Sequence, residues 1–231
     1  SKIGKYMMNS MTTNSTLLLP EVQAVLERLH TLADNNDATI IQQVIESGSD
    51  WKSSSSEQKS GMFREALLPI SKDIGRFLYG VARSISAKHI VEFGTSYGVS
   101  TIYFAAAVRD NGGGLVVGSE LENSKVAKAN QNLAEAGLSK FVEIRAGDAL
   151  QTLRNSSTID LLFLDGWKDI YLDVLHLVLG NLRQGSVIVA DDVELFRDDL
   201  APYLDYIRNP AHGFVSVTLP LDDGIEYSVK L

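Results

Sequence analysis

Between about Lys88 and Ala190 short apolar runs alternate with stretches whose apolar positions recur every three or four residues. The runs are residues 89–93, 115–119, 142–144, 159–164 and 186–190, most of them nearly continuous in apolar side chains. Such runs suit strands buried on both faces. The intervening residues 99–108, 123–136, 149–154 and 171–182 carry helical spacing, and Gly137 stands where a helix takes its left-handed terminal residue. The alternation predicts an α/β fold with a doubly wound, mostly parallel sheet. Residues 214–217 and 225–229, joined through Leu219-Pro220-Leu221-Asp222-Asp223-Gly224, predict a terminal antiparallel hairpin. The expected sheet therefore has seven strands.

The first 60 residues have a different texture. Pro20 sits at the start of a helical pattern (Val22, Val25, Leu26, Leu29, Leu32) that predicts a helix to about Asp34, and residues 38–46 predict a second. The serine-rich residues 53–60 read as a mobile linker. Residues 1–60 are thus expected to be a helical extension that caps a site, and residues 61–231 the main domain. Residues 1–8 lack the apolar core of a signal peptide and read as a lead-in outside the fold.

Composition narrows the function. The formal charge of −8 lacks the basic face that broad nucleic-acid or acidic-membrane binding needs, and favours a small-molecule partner. Without cysteine there are no disulfides, thiolate metal sites or cysteine nucleophiles, and a reducing cytoplasm is compatible. The longest apolar runs fall far short of the roughly 20 residues of a membrane span. The four histidines show no ligand-like spacing.

In an open α/β sheet, ligands bind beyond the carboxyl ends of the strands. The first run ends in Glu92-Phe93-Gly94-Thr95-Ser96-Tyr97-Gly98-Val99-Ser100, where Gly94 and Gly98 allow a tight turn and a close backbone approach to a ligand. A dinucleotide fingerprint is the rival reading, but Gly94 and Gly98 lack its G-x-G-x-x-G spacing. Glu120 ends the second run, where nucleoside-binding folds place an acid on the ribose hydroxyls. Asp148, in Ala146-Gly147-Asp148-Ala149, either accepts from an adenine amino group or caps the next helix.

Together with Leu164-Asp165-Gly166-Trp167-Lys168-Asp169, Ala190-Asp191-Asp192 and Asp223-Gly224-Ile225-Glu226, these motifs resemble, in order, the catechol O-methyltransferase group of class I methyltransferases. The likeness runs from about Leu67 to Leu231, and its most specific piece is the Asp165-to-Asp169 run. It implies a Rossmann-like methyltransferase fold, S-adenosylmethionine as methyl donor and a small phenolic or catechol-like acceptor, and a homo-oligomer is compatible with it. By the resemblance, Glu92, Gly94, Ser96, Gly98, Ser100, Glu120, Asp148, Ala149 and Asp165 line the donor, with Ile70 and Ser71 against its methionine end. Asp165, Asp191 and Asp192 would hold Mg²⁺, Lys168 would take the acceptor's proton, and Trp167 and Glu226 would contact the acceptor. Oxygen donors suit Mg²⁺, and a lysine beside a divalent cation is expected to have a lowered pKa. Two departures stand out: Asp192 replaces the family's usual asparagine, and Gly166 a frequent histidine.

Overall fold

The computed structural model describes residues 15–231, so the lead-in expected at residues 1–8 lies outside the described residues. The chain runs α1 (Pro20–Glu46), α2 (Ser56–Met62), α3 (Lys72–Ser84), β1 (His89–Phe93), α4 (Val99–Asp110), β2 (Leu115–Glu120), α5 (Asn123–Glu135), β3 (Val142–Ala146), α6 (Ala149–Thr152), β4 (Ile159–Leu164), α7 (Tyr171–Val178), β5 (Leu182–Ala190), α8 (Ala201–Arg208), β6 (Phe214–Leu219) and β7 (Ile225–Lys230). The sheet order is β3-β2-β1-β4-β5-β7-β6. Strands β1 to β5 pair in parallel, and β7 runs antiparallel to both β5 and β6.

The continuous apolar strands follow from two covered faces. Ile90, Val116, Leu161, Phe163, Val187 and Val189 pack toward α1, α3 and α4, while Val91, Val117, Leu162, Leu164, Ile188 and Ala190 pack toward α7 and α8. Alternate residues of one strand serve opposite cores, as the two-residue period of a strand requires.

Four sequence expectations change. The helix predicted to stop near Asp34 continues to Glu46. Asp37 sits inside it without breaking it, because its carboxylate accepts the backbone N–H groups of Leu67 (2.9 Å) and Leu68 (2.7 Å) rather than competing for its own helix. The serine-rich linker contains α2, opened by a capping box: Ser55 accepts from the Gln58 N–H (3.3 Å) and Gln58 accepts from the Ser55 N–H (2.9 Å). Helix α3, absent from the sequence reading, buries Ile74, Leu78 and Ala82 at a spacing of four. Helix α8 was likewise unanticipated and covers the α7 side through Tyr203, Leu204 and Ile207.

Among the described residues no helix is long and apolar enough to cross a membrane.

Candidate active site

The carboxyl ends of β1, β2, β4 and β5 open into a cavity of about 570 Å³, roofed by α2 and by the turn from Phe63 to Ile70. That volume suits a small-molecule site.

At one end, the turn after β1 sets the backbone. Gly94 has φ +96°, and a Cβ there would stand 2.5 Å from the Asp165 carbonyl oxygen, so β1 and β4 can approach this closely only at glycine. Ser96, a non-glycine residue, also takes a left-handed φ of 47°. It is held there by its N–H on Glu120 (2.8 Å) and its hydroxyl on the Leu67 carbonyl (2.6 Å). The second Glu120 oxygen accepts the Glu122 N–H (2.8 Å), which aims this carboxylate across the cavity wall. Asp148 caps α6 through the Leu150 N–H (2.9 Å) while also lining the cavity, so both of its sequence readings are compatible with its position.

Of the residues expected around the donor, Ile70, Gly94, Ser96, Ser100, Glu120, Asp148, Ala149 and Asp165 line the cavity. Four expected site residues are not brought to its wall. Glu92 is fully buried behind the turn, accepting hydroxyl hydrogens from Thr95 (3.1 Å), Thr101 (2.6 Å) and Ser100. Burial pushes its pKa up, and its role here is to clamp the turn to α4. Gly98, with φ +87°, is the residue from which α4 starts. Ser71 caps α3 through the Ile74 N–H (3.2 Å). Glu226 lies within the β6–β7 hairpin, where it accepts from Arg208 (2.8 Å), Ser216 (2.7 Å) and Thr218 (2.6 Å) and has no exposed surface. Its partners on α8 and β6 hold the carboxylate within the hairpin rather than at the cavity wall.

The other end is built on charge. Lys168 follows β4, and its ammonium lies 2.7 Å from Asp192, 3.5 Å from Asp165 and 2.8 Å from the Tyr171 hydroxyl. The Tyr171 hydroxyl donates in turn to the Asp191 carbonyl (3.3 Å). Burial works to lower the Lys168 pKa, but its partners Tyr171, Asp165 and Asp192 hold it well above the ordinary lysine value. Burial, reinforced by Asp191 and Asp192, pushes Asp165 well up despite Lys168. Burial and the Asp192 charge push Asp191 up to about 7.

The donor set suits a hard cation in chemistry, being three carboxylates at the ends of neighbouring strands. Its arrangement differs from the expected cluster. Asp191 turns to accept the Asp192 N–H (2.8 Å), Asp192 takes a left-handed φ of 64°, and Lys168 stands between Asp165 and Asp192. Among the described residues no three carboxylates gather around one point.

Sequence reasoning missed several wall residues. Trp51 and Phe63 join Trp167 in an aromatic group, with ring centroids 5.5 Å and 5.9 Å apart. Lys59 is buried on the same wall, paired with Asp169 (3.2 Å). Lys125 on α5 lines the donor end, buried, with burial lowering its pKa.

A family model described as a methyltransferase domain matches residues 91–193. The catechol O-methyltransferase of Niastella koreensis is 34% identical over 131 residues, covering 54% of this chain and 58% of that protein. Catechol O-methyltransferase B of Danio rerio is 30% identical over 183 residues, covering 73% of this chain and 67% of that protein. The chain thus spans less than two thirds of the length of the Niastella koreensis relative, and likewise 57% of the Mycobacterium tuberculosis catechol O-methyltransferase. The O-methyltransferase TomG of Streptomyces achromogenes, solved with S-adenosylmethionine, superposes with a TM-score of 0.66 at 24% identity, covering 79% of this chain and 90% of that one. An O-methyltransferase of Bacillus cereus, solved with the demethylated product, gives 0.66 at 22%, covering 88% and 100%. These two share the fold. Identity of 30% across two thirds of the Danio rerio protein, carried on this strand order, makes the chain a member of the class I S-adenosylmethionine-dependent O-methyltransferase family.

Proposed function

We propose that this chain transfers the methyl group of S-adenosylmethionine to a hydroxyl of a small phenolic or catechol-like acceptor. One observation carries the reading: a single cavity joins the Gly94–Ser100 turn and Glu120 at one end to Lys168, Asp165 and Asp192 at the other. The turn and Glu120 would hold the amino-acid and ribose parts of the donor. The acceptor's oxygen would then face the methyl group in line with sulfur, so that an O–C bond forms as the C–S bond breaks and the thioether leaves.

A phenol is a poor nucleophile until it loses its proton. Lys168, held as an ammonium, favours the phenolate that forms beside it, and the proton has nearby carboxylates as acceptors, Asp191 among them with a pKa raised into the working range of a base. Mg²⁺ or another divalent cation belongs to the same proposal: Asp165, Asp191 and Asp192 would hold it, and bound there it would supply Lewis-acid stabilisation of the phenolate. The Lys168 bridge favours a second reading, in which its ammonium provides that charge and the acidic pair is structural.

Calorimetry should show S-adenosylmethionine and its demethylated product binding, with Glu120→Ala weakening both by about 10- to 100-fold through loss of the ribose contact. Binding of a nicotinamide dinucleotide in their place would overturn the reading. Methyl transfer to a catechol in excess chelator, with and without restored Mg²⁺, separates the two forms of the mechanism. Activity lost and regained supports the cation, and full activity in chelator supports Lys168 alone.

A further inference from the structure

The acceptor end has a side that the proposed chemistry leaves unused. The tripeptide Trp167-Lys168-Asp169 sends its three side chains to three places. Lys168 turns to Asp165 and Asp192, Trp167 turns to the aromatic group with Phe63, and Asp169 turns to Lys59 on α2. The packed aromatic group of Trp51, Phe63 and Trp167 therefore forms one wall of the cavity between an acidic floor and a buried lysine in the roof.

Lys59 is one of two buried lysines among the described residues, the other being Lys125 at the far end of the cavity. Only 8% of the Lys59 side chain is exposed, whereas its partner Asp169 is 49% exposed. Its ammonium has three hydrogens to donate, and among the described residues Asp169 is its one hydrogen-bonding partner, with the Trp167 ring 5.9 Å away. Water weakens the hold of a half-exposed carboxylate, while a buried ammonium keeps its need for acceptors. The neighbouring cavity charges do not answer that need: Lys52 is a second cation on the same wall, and Glu57, exposed on that wall, makes no hydrogen bond to Lys59 among the described residues. The opposite end, with Asp165, Asp191 and Asp192, repels an anion.

We infer that the acceptor is a hydroxylated aromatic carrying an anionic substituent, such as a carboxylate, with its ring against the cavity face of the Trp51–Phe63–Trp167 group, its hydroxyl toward Lys168 and its anionic group on Lys59. This rests on the acceptor reading above and narrows it. The cavity reads charge as well as shape, because a neutral ring leaves the Lys59 hydrogens unanswered, whereas a carboxylate accepts them in charge-assisted bonds. Lys59 is then a specificity residue, distant from the transferred methyl group.

Two probes of nearly equal shape test it: 3,4-dihydroxybenzoate and 3,4-dihydroxybenzamide. Trp51 and Trp167 are the two tryptophans of the chain and both line the cavity, so quenching of intrinsic fluorescence reports binding at this site without requiring turnover. In the full chain with bound donor product, the benzoate should bind about tenfold or more tightly than the benzamide. The ratio should fall to about one in Lys59→Gln and be retained in Lys59→Arg. Equal affinities in the unaltered protein overturn the inference. So does a Lys59→Gln protein that loses affinity for both probes while keeping their ratio, since that describes a latch between α2 and Asp169. Selective benzoate binding without methyl transfer to either probe would sustain the anion site and overturn the methyl-acceptor reading instead.

Discussion

The two ends of the cavity satisfy their charges by different means. At the donor end, Glu120 is answered by backbone N–H groups of Ser96 and Glu122, and Glu92 by three hydroxyls within nine residues of it. At the acceptor end, Lys168 bridges Asp165 and Asp192 with Asp191 close beside them, and two of the three carboxylates are pushed above their ordinary values. Hydrogen bonds to fixed backbone hold a shape before any ligand arrives. Coupled charges instead respond to whatever enters, which is what a site must do if it is to lower the cost of ionising a hydroxyl.

The comparison breaks most sharply at Lys168. Lys168→Ala should lower turnover by about 10²- to 10⁴-fold while leaving affinity for the demethylated donor nearly intact, as stopped assays and calorimetry on the same preparation can show. A parallel loss of donor affinity would mean that the two ends are one unit.

Gly94→Ala attacks the other end through the backbone. The added Cβ meets the Asp165 carbonyl at 2.5 Å and the residue must keep φ +96°. The variant should lose about 3 kcal/mol of stability or more, read by denaturant unfolding, together with donor binding. An unchanged midpoint would show that the strand ends can separate freely.

The smallest effect sharpens the account of the acidic pair. Asp191 has a folded-state pKa of about 7, above its ordinary unfolded value, so the folded protein holds the proton more tightly. Its contribution is therefore fully present below the unfolded pKa and is lost as pH rises through about 7. Asp191→Asn should flatten that decline and raise the melting temperature at pH 8 more than at pH 5. An equal shift at both values would remove the titration of Asp191 as its cause.

The succession of strands and helices along the chain, the hairpin and the glycine turn after β1 were legible because each depends on local spacing: apolar runs, a two-residue period and left-handed positions that glycine fills. Helix α2 carried its own Ser55-x-x-Gln58 signature, obscured by the serines around it, and α3 carried apolar positions at 74, 78 and 82. The identities of Asp165, Lys168, Asp191 and Asp192 were also legible as motif residues. Their pairing was not, because it depends on how the ends of β4 and β5 and the start of α7 meet.

The sequence by itself determined the alternating architecture, the place of the donor turn and the acidic character of the acceptor end, since these follow from residue type at short range. Tertiary structure alone decided that Glu226 belongs to Arg208 and that Asp37 ties α1 to the turn at Leu67 and Leu68. It also decided that Lys59, far along the chain from Asp169, stands in the roof of the same cavity. The reason is physical: a charged side chain is placed by whichever partner the folded backbone brings within hydrogen-bonding reach, and that partner can lie anywhere in the chain.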